Sequence, residues 1–117
     1  MYKSKLVIAL GLFFAIFTIL KVNAQTNEMQ TETFKVWGNC DMCKKTIEKS
    51  LKVKGIKSAK WNRETKMITV VFDNKLIDLP SIHKKIAGAG YDTELEMASD
   101  EVYKNLHGCC QYERKAK

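Results

Sequence analysis

The sequence predicts an α+β domain of order βαββαβ, an open-faced sandwich with both helices on one side of an antiparallel sheet and a short helical tail behind it. Three observations predict this. Four segments alternate apolar and polar residues, two intervening stretches place apolar residues at helical spacing, and Gly38, Gly55, Gly88 and Gly90 punctuate them. The chain has 117 residues, 45% of them hydrophobic, and one Pro. That composition excludes a disordered or collagenous protein, and the length excludes barrel or doubly wound enzymes, which need roughly 200 residues or more.

From Thr31 to Trp37, Phe34 and Val36 fall on one side and Thr33, Lys35 and Trp37 on the other, as in a half-buried strand ending at Gly38. Asp41 to Lys52 carries Cys43, Ile47 and Leu51 at i, i+4 and i+8, an amphipathic helix stopped by Gly55. Ile56 to Trp61 and Met67 to Phe72 read as a hairpin around the polar turn Asn62 to Thr65. Pro80 suits the first turn of a second helix with the stripe Leu79, Ile82 and Ile86. Tyr91 to Leu95 gives a short last strand, completing the split βαβ or ferredoxin-like order. His83 is expected at the surface, and Trp37 and Trp61 on the sheet or against the tail. In the tail, Ser99 caps a short helix that Gly108 ends, and the polar residues from Gln111 to Lys117 are expected to fray.

Residues 1–24 read as a signal peptide. Lys3 and Lys5 precede the apolar run Leu6 to Leu20, and Val22-Asn23-Ala24 supplies a small-residue cleavage site. The run falls short of the ~20 residues that cross a bilayer, so no membrane span is expected after cleavage, and the product is expected to be periplasmic or secreted. The organisation is then a signal peptide at 1–24, a flexible lead at 25–30, a domain at 31–96 and a tail at 97–117. Cleavage removes Lys3, Lys5 and Lys21 and no acid, lowering the net charge of +7 by three. The remaining lysines are spread along the chain without a nucleic-acid motif. An acidic protein or anionic surface is the better partner, and no nucleic acid is expected.

Four cysteines form two close pairs, Cys40 with Cys43 and Cys109 with Cys110. A staple gains by closing a long loop, and these spacings close almost none, so the pairs point to metal chelation or redox chemistry. Gly38-Asn39-Cys40-Asp41-Met42-Cys43 joins the first strand to the first helix, which places both sulfurs beside a helix N-terminus that favours thiolate. Two soft thiolates suit Cu(I), with Zn(II) also served if further ligands arrive. His107, Cys109 and Cys110 are auxiliary candidates: they either complete a site with Cys40 and Cys43, form a second one, or make a vicinal disulfide. Met42 is soft enough to touch metal, or else serves as adaptable contact surface.

The CxxC at a strand-to-helix junction opening this pattern resembles the heavy-metal-associated (HMA) family, over Phe34 to Leu95. The family includes small copper chaperones, the periplasmic mercury-binding protein and the N-terminal modules of metal-pumping ATPases. The resemblance implies metal held by Cys40 and Cys43, with Cu(I) first and Hg(II) or Zn(II) next. It also implies transfer by docking to a metal-transporting membrane ATPase or another metal-accepting protein. Tyr91, in Gly90-Tyr91-Asp92, is similar to an aromatic that bacterial members place near the metal loop. Members usually carry a buried Met two residues before the first cysteine, where this chain has Gly38.

The sequence thus reads as an exported soft-metal binder, a chaperone or scavenger, monomeric without metal and not an enzyme. The rival reading is an extracytoplasmic thiol-disulfide protein using Cys40/Cys43 with Cys109/Cys110 as a relay.

Overall fold

The computed structural model describes residues 29–116, so the expected signal segment lies outside the described residues. Strand β1 (Met29–Lys35) begins two residues before the expected Thr31. Helix α1 (Asp41–Ser50), strands β2 (Ile56–Trp61) and β3 (Met67–Asp73), and helix α2 (Leu79–Gly88) follow in the expected order. Helix α3 (Asp100–Lys104) and a 3₁₀ turn (Gly108–Cys110) complete the chain. The sheet is antiparallel in the order β1-β3-β2, and the register sets Phe34, Ile68 and Trp61 in one row across it. Among the described residues, no helix is long and apolar enough to cross a membrane.

Period-2 alternation puts Phe34, Ile68, Val70 and Phe72 on the covered face, where they join Ile47 and Leu51 from the first helical segment and Ile82 and Ile86 from α2 in one buried core. On the open face, Thr33 and Thr69 meet through their hydroxyls at 3.2 Å. The local signals act as their chemistry requires. Asp78 caps α2 by accepting from the Ser81 N–H at 2.8 Å, with Pro80 in the first turn, and Ser99 caps α3 by accepting from Val102.

Three expectations need correction. The last strand is reduced to a single bridge, Val36 with Thr93. Its backbone is diverted, because Thr93 Oγ1 accepts from the N–H groups of Leu95 and Glu96, and Asp92 Oδ1 accepts from that of Ala98. His83 is buried rather than exposed. Its ring stacks on Phe34 at 3.9 Å and its Nδ1 is 2.6 Å from Thr93 Oγ1, while burial holds the imidazole below its ordinary pKa and hence neutral near pH 7.

The tail is the third. Tyr112 is buried, its hydroxyl donating to the Gly90 carbonyl and accepting from the Asp92 N–H, both at 2.8 Å. Arg114 grips the buried Asp92 carboxylate through Nε at 3.0 Å and Nη2 at 2.7 Å and reaches Asp100 as well. Lys115 Nζ donates to the Thr93 carbonyl at 2.7 Å. Gly90 (φ +110°) leaves room for the tail, since a Cβ there would sit 2.9 Å from Leu106 Cδ2.

Removing Arg114 strands a buried charge. Arg114→Ala is expected to cost about 3–5 kcal/mol in urea unfolding, whereas Asp100→Asn, on the exposed side of the same guanidinium, costs about 1 kcal/mol or less. Burial alone would raise the Asp92 pKa, but Arg114 and the N–H groups of Ala98 and Lys115 outweigh it and hold the carboxyl below its usual value. This contribution is present above the ordinary carboxylate range and is lost as pH falls through the lowered folded value. Equal urea midpoints for Arg114→Ala and Asp100→Asn at pH 7 would contradict the assignment.

Candidate metal centre

The loop that carries the first cysteine pair is supported from beneath by Trp61. Its indole Nε1 donates to the carbonyls of Val36 at 3.0 Å and Lys66 at 3.2 Å. Gly38 lies against the ring: an added Cβ would be 3.0 Å from Trp61 Cζ2 and 3.3 Å from Ile47 Cδ1. The indole thus fills the space that a side chain at position 38 would enter, and glycine is the residue that leaves it room. Helix α1 is tied to the same strand end. Lys44 Nζ donates to the Trp61 carbonyl at 2.8 Å, and Glu48 Oε2 accepts from the Trp61 N–H at 2.9 Å.

Cys40 is the N-cap of α1 and Cys43 sits in its first turn, with their sulfurs 3.5 Å apart. The Asn39 N–H donates to Cys43 Sγ at 3.4 Å. From the other end of the chain the 3₁₀ turn, closed by the Cys110 N–H on the His107 carbonyl, brings Cys110 Sγ to 3.8 Å from Cys40 Sγ. Cys40 Sγ also donates to the Cys109 carbonyl at 3.6 Å, which fastens the turn to the loop. The sulfurs of Cys40, Cys43 and Cys110 all lie within 4.8 Å of one another, and the four cysteines are free.

Of the auxiliary candidates, Cys110 alone joins this group. Cys109 points outward, with its sulfur 3.9 Å from that of Cys110, and His107 is exposed at the start of the turn and outside the cluster. The surface clefts lined by Val53, Leu76 and Lys85, by Lys44 and Arg63, and by Leu51 and Ile56 contain no cysteine. The thiol cluster lies apart from these clefts.

The heavy-metal-associated domain family model matches residues 33–92. This chain belongs to the heavy-metal-associated domain family. Among solved structures, the HMA domain is similar to the CopZ metallochaperone at 29% identity over 55% of this chain and 98% of that one, TM-score 0.53. It is similar to oxidized MerP from Ralstonia metallidurans CH34 at 32% identity over 56% and 94%, TM-score 0.54. It also resembles the Cu(I)-loaded N-terminal domain of a potential copper-translocating P-type ATPase from Bacillus subtilis, at 25% identity over 63% and 95%, TM-score 0.54. No curated protein sequence matched the chain. The family match ends at residue 92, so the HMA model covers Cys40 and Cys43 but not the tail that delivers Cys110.

The Cys40 thiol of the HMA domain and the Cys110 thiol of the tail are not equivalent. Burial pushes the half-buried Cys40 thiol up, but hydrogen bonds from the backbone and side chain of Cys43 and from the Met42 N–H outweigh it and bring its pKa down to about 7. This is the expected effect of a helix N-terminus on a thiolate. Cys110 is buried and pushed up to about 12, by desolvation first and by the neighbouring Cys43 and Cys40 next. Behind them, the Tyr91 hydroxyl is the one buried side-chain oxygen or nitrogen among the described residues without a hydrogen-bond partner. Burial, then the Cys110 and Cys43 sulfurs, push its phenol well above the ordinary range, so it stays neutral.

The difference is measurable without metal. In a Cys109→Ser background, iodoacetamide labelling of Cys40 is expected to rise as pH passes through 7, while Cys110 stays unlabelled over the same window. Peptide mapping by mass spectrometry checks this, and preferential labelling of Cys110 would contradict the geometry.

Proposed function

We propose that this protein is an exported soft-metal carrier or scavenger that holds its cargo ion with the thiolates of Cys40, Cys43 and Cys110. One observation carries the reading: in an HMA domain, a third thiol from the far end of the chain converges on the CxxC pair within 4.8 Å. Thiolates select soft ions, so Cu(I) is the first candidate, with Hg(II) or Zn(II) next. Each ligand gives up its proton on binding, most readily Cys40. The likeness to a metallochaperone and to a P-type ATPase domain supports transfer to a metal-transporting membrane ATPase or another metal-accepting protein. Among the described residues no general base or nucleophile beside the thiols suggests catalysis, and the proposed role is non-enzymatic.

Native mass spectrometry of the reduced protein titrated with Cu(I), Hg(II) and Zn(II) tests the assignment. One Cu(I) per chain is expected. Cys40→Ser or Cys43→Ser should abolish tight binding, and Cys110→Ser should weaken retention against a competing chelator by about tenfold or more. Stoichiometric affinity retained in the Cys40→Ser/Cys43→Ser variant would overturn the site. The point substitution at Cys110 is the informative one, because truncation before His107 would also remove Tyr112 and Arg114, which hold the core.

Export has its own measurement. Protein recovered from its native compartment is expected to begin at or close to Gln25 and to fractionate as soluble. Intact Met1 in a membrane pellet would show an anchor instead.

A further inference from the structure

Two sulfurs outside the three-thiol cluster touch each other. Cys109 Sγ lies 3.9 Å from Met42 Sδ, with Cys109 exposed and Met42 45% exposed. Met42 adjoins Cys43 and Cys109 adjoins Cys110, so the two backbone segments that each aim one sulfur inward aim its neighbour outward. The row continues without a gap: Cys109 to Cys110 is 3.9 Å, Cys110 to Cys40 is 3.8 Å, and Cys40 to Cys43 is 3.5 Å. Metal–sulfur bonds of about 2.3 Å let one ion span two sulfurs up to roughly 4.6 Å apart. Every neighbouring pair in this row is therefore close enough to share an ion.

We propose that Met42 and Cys109 form an outer soft-metal site through which a thiophilic monovalent ion, Cu(I), enters and leaves the inner cluster. The inference rests on the three-thiol reading above and adds a route to it. The far side is closed, because Tyr91, Cys43 and Cys110 are buried; Cys40 is half-buried, and Cys109 and Met42 are the exposed sulfurs of the row. A thioether beside a thiol favours Cu(I) over Zn(II), and neither Met42 nor Cys109 is needed once the ion has moved inward.

The exchange balances at each step. An incoming Cu(I) complex of a small donor loses one donor bond as Cys109 sulfur forms one, the Cys109 proton passing to the departing donor or to water. Cys110, then Cys40 and Cys43, bind in turn as outer bonds break. Each releases its proton to solvent or to the thiolate it displaces, and copper remains Cu(I) throughout. Release runs the same row outward.

The test compares Met42→Leu, Cys109→Ser and the double variant in stopped-flow transfer of Cu(I) from, and back to, its bicinchoninate complex. The double variant is expected to bind one Cu(I) with unchanged equilibrium affinity but to exchange it about tenfold or more slowly in both directions, having lost the local concentration of sulfur at the entrance. Unchanged rates would overturn the route. So would a loss of affinity as large as that of Cys110→Ser, because Cys109 would then be a resident ligand. Failure of the unmutated protein to take up Cu(I) would instead overturn the three-thiol reading, and the route with it. Met42→Leu keeps the size of an exposed side chain, so its slower exchange is an independent check that does not depend on the tail's conformation.

Discussion

The Asp92 carboxylate is fully buried, and an unpaired ion in that position costs several kcal/mol. Arg114 answers it with two nitrogens, and the N–H groups of Ala98 and Lys115 satisfy what remains. This arrangement turns the backbone away from the sheet after Thr93, which is why the last strand survives as one bridge. It also fixes the tail, because Arg114 cannot reach Asp92 unless residues 108–113 pass over the end of the domain. Tyr112 uses that passage to seal Gly90 and Asp92 with its hydroxyl. Cys110 thus arrives beside Cys40 on a tail whose main anchor, the Arg114–Asp92 pair, involves no sulfur, and the Cys40 thiol then fastens the turn through the Cys109 carbonyl.

How much of this was legible in the sequence follows the range of the interactions. Helix α1 and strand β3 were readable because the residues that bury them recur at fixed local spacing: Cys43, Ile47 and Leu51 in one, Ile68, Val70 and Phe72 in the other. Tyr91 to Leu95 shows the alternation of a strand, but the Asp92 and Thr93 side chains compete for nearby N–H groups, and period alone does not reveal that competition. His83, followed by Lys84 and Lys85, looked solvated; its partners Phe34 and Thr93 come from other elements. The tail's last residues are polar and read as frayed, yet Arg114 answers an acid 22 residues earlier. The CxxC and its place at a helix start were visible at once, whereas the choice of Cys110 over Cys109 and His107 rests on a 3₁₀ turn that no local periodicity announces.

Gly38 and Trp61 illustrate a steric exchange. The family's usual pattern places a buried Met under the metal loop, and here the support comes from the opposite strand as an indole anchored to Val36 and Lys66. A Cβ at position 38 would meet that ring at 3.0 Å, so the two residues make sense only together. The loop retains a rigid floor, and the positions of Cys40 and Cys43 are set by packing as well as by the helix N-terminus.

The thiol cluster is assembled from two parts of the chain. Cys40 and Cys43 ride on α1, whose register is locked to the core by Ile47 and Leu51 and to β2 by Lys44 and Glu48. Cys110 rides on a tail held by Tyr112 and Arg114, groups that bond to Gly90, Asp92, Ala98 and Asp100 and not to the sheet. The two parts thus have different anchors, but they meet in one core and are joined where Cys40 Sγ donates to the Cys109 carbonyl. The seating of the third thiol beside the CxxC pair then depends on how firmly Arg114 keeps Asp92, a buried ion pair remote from the sulfurs.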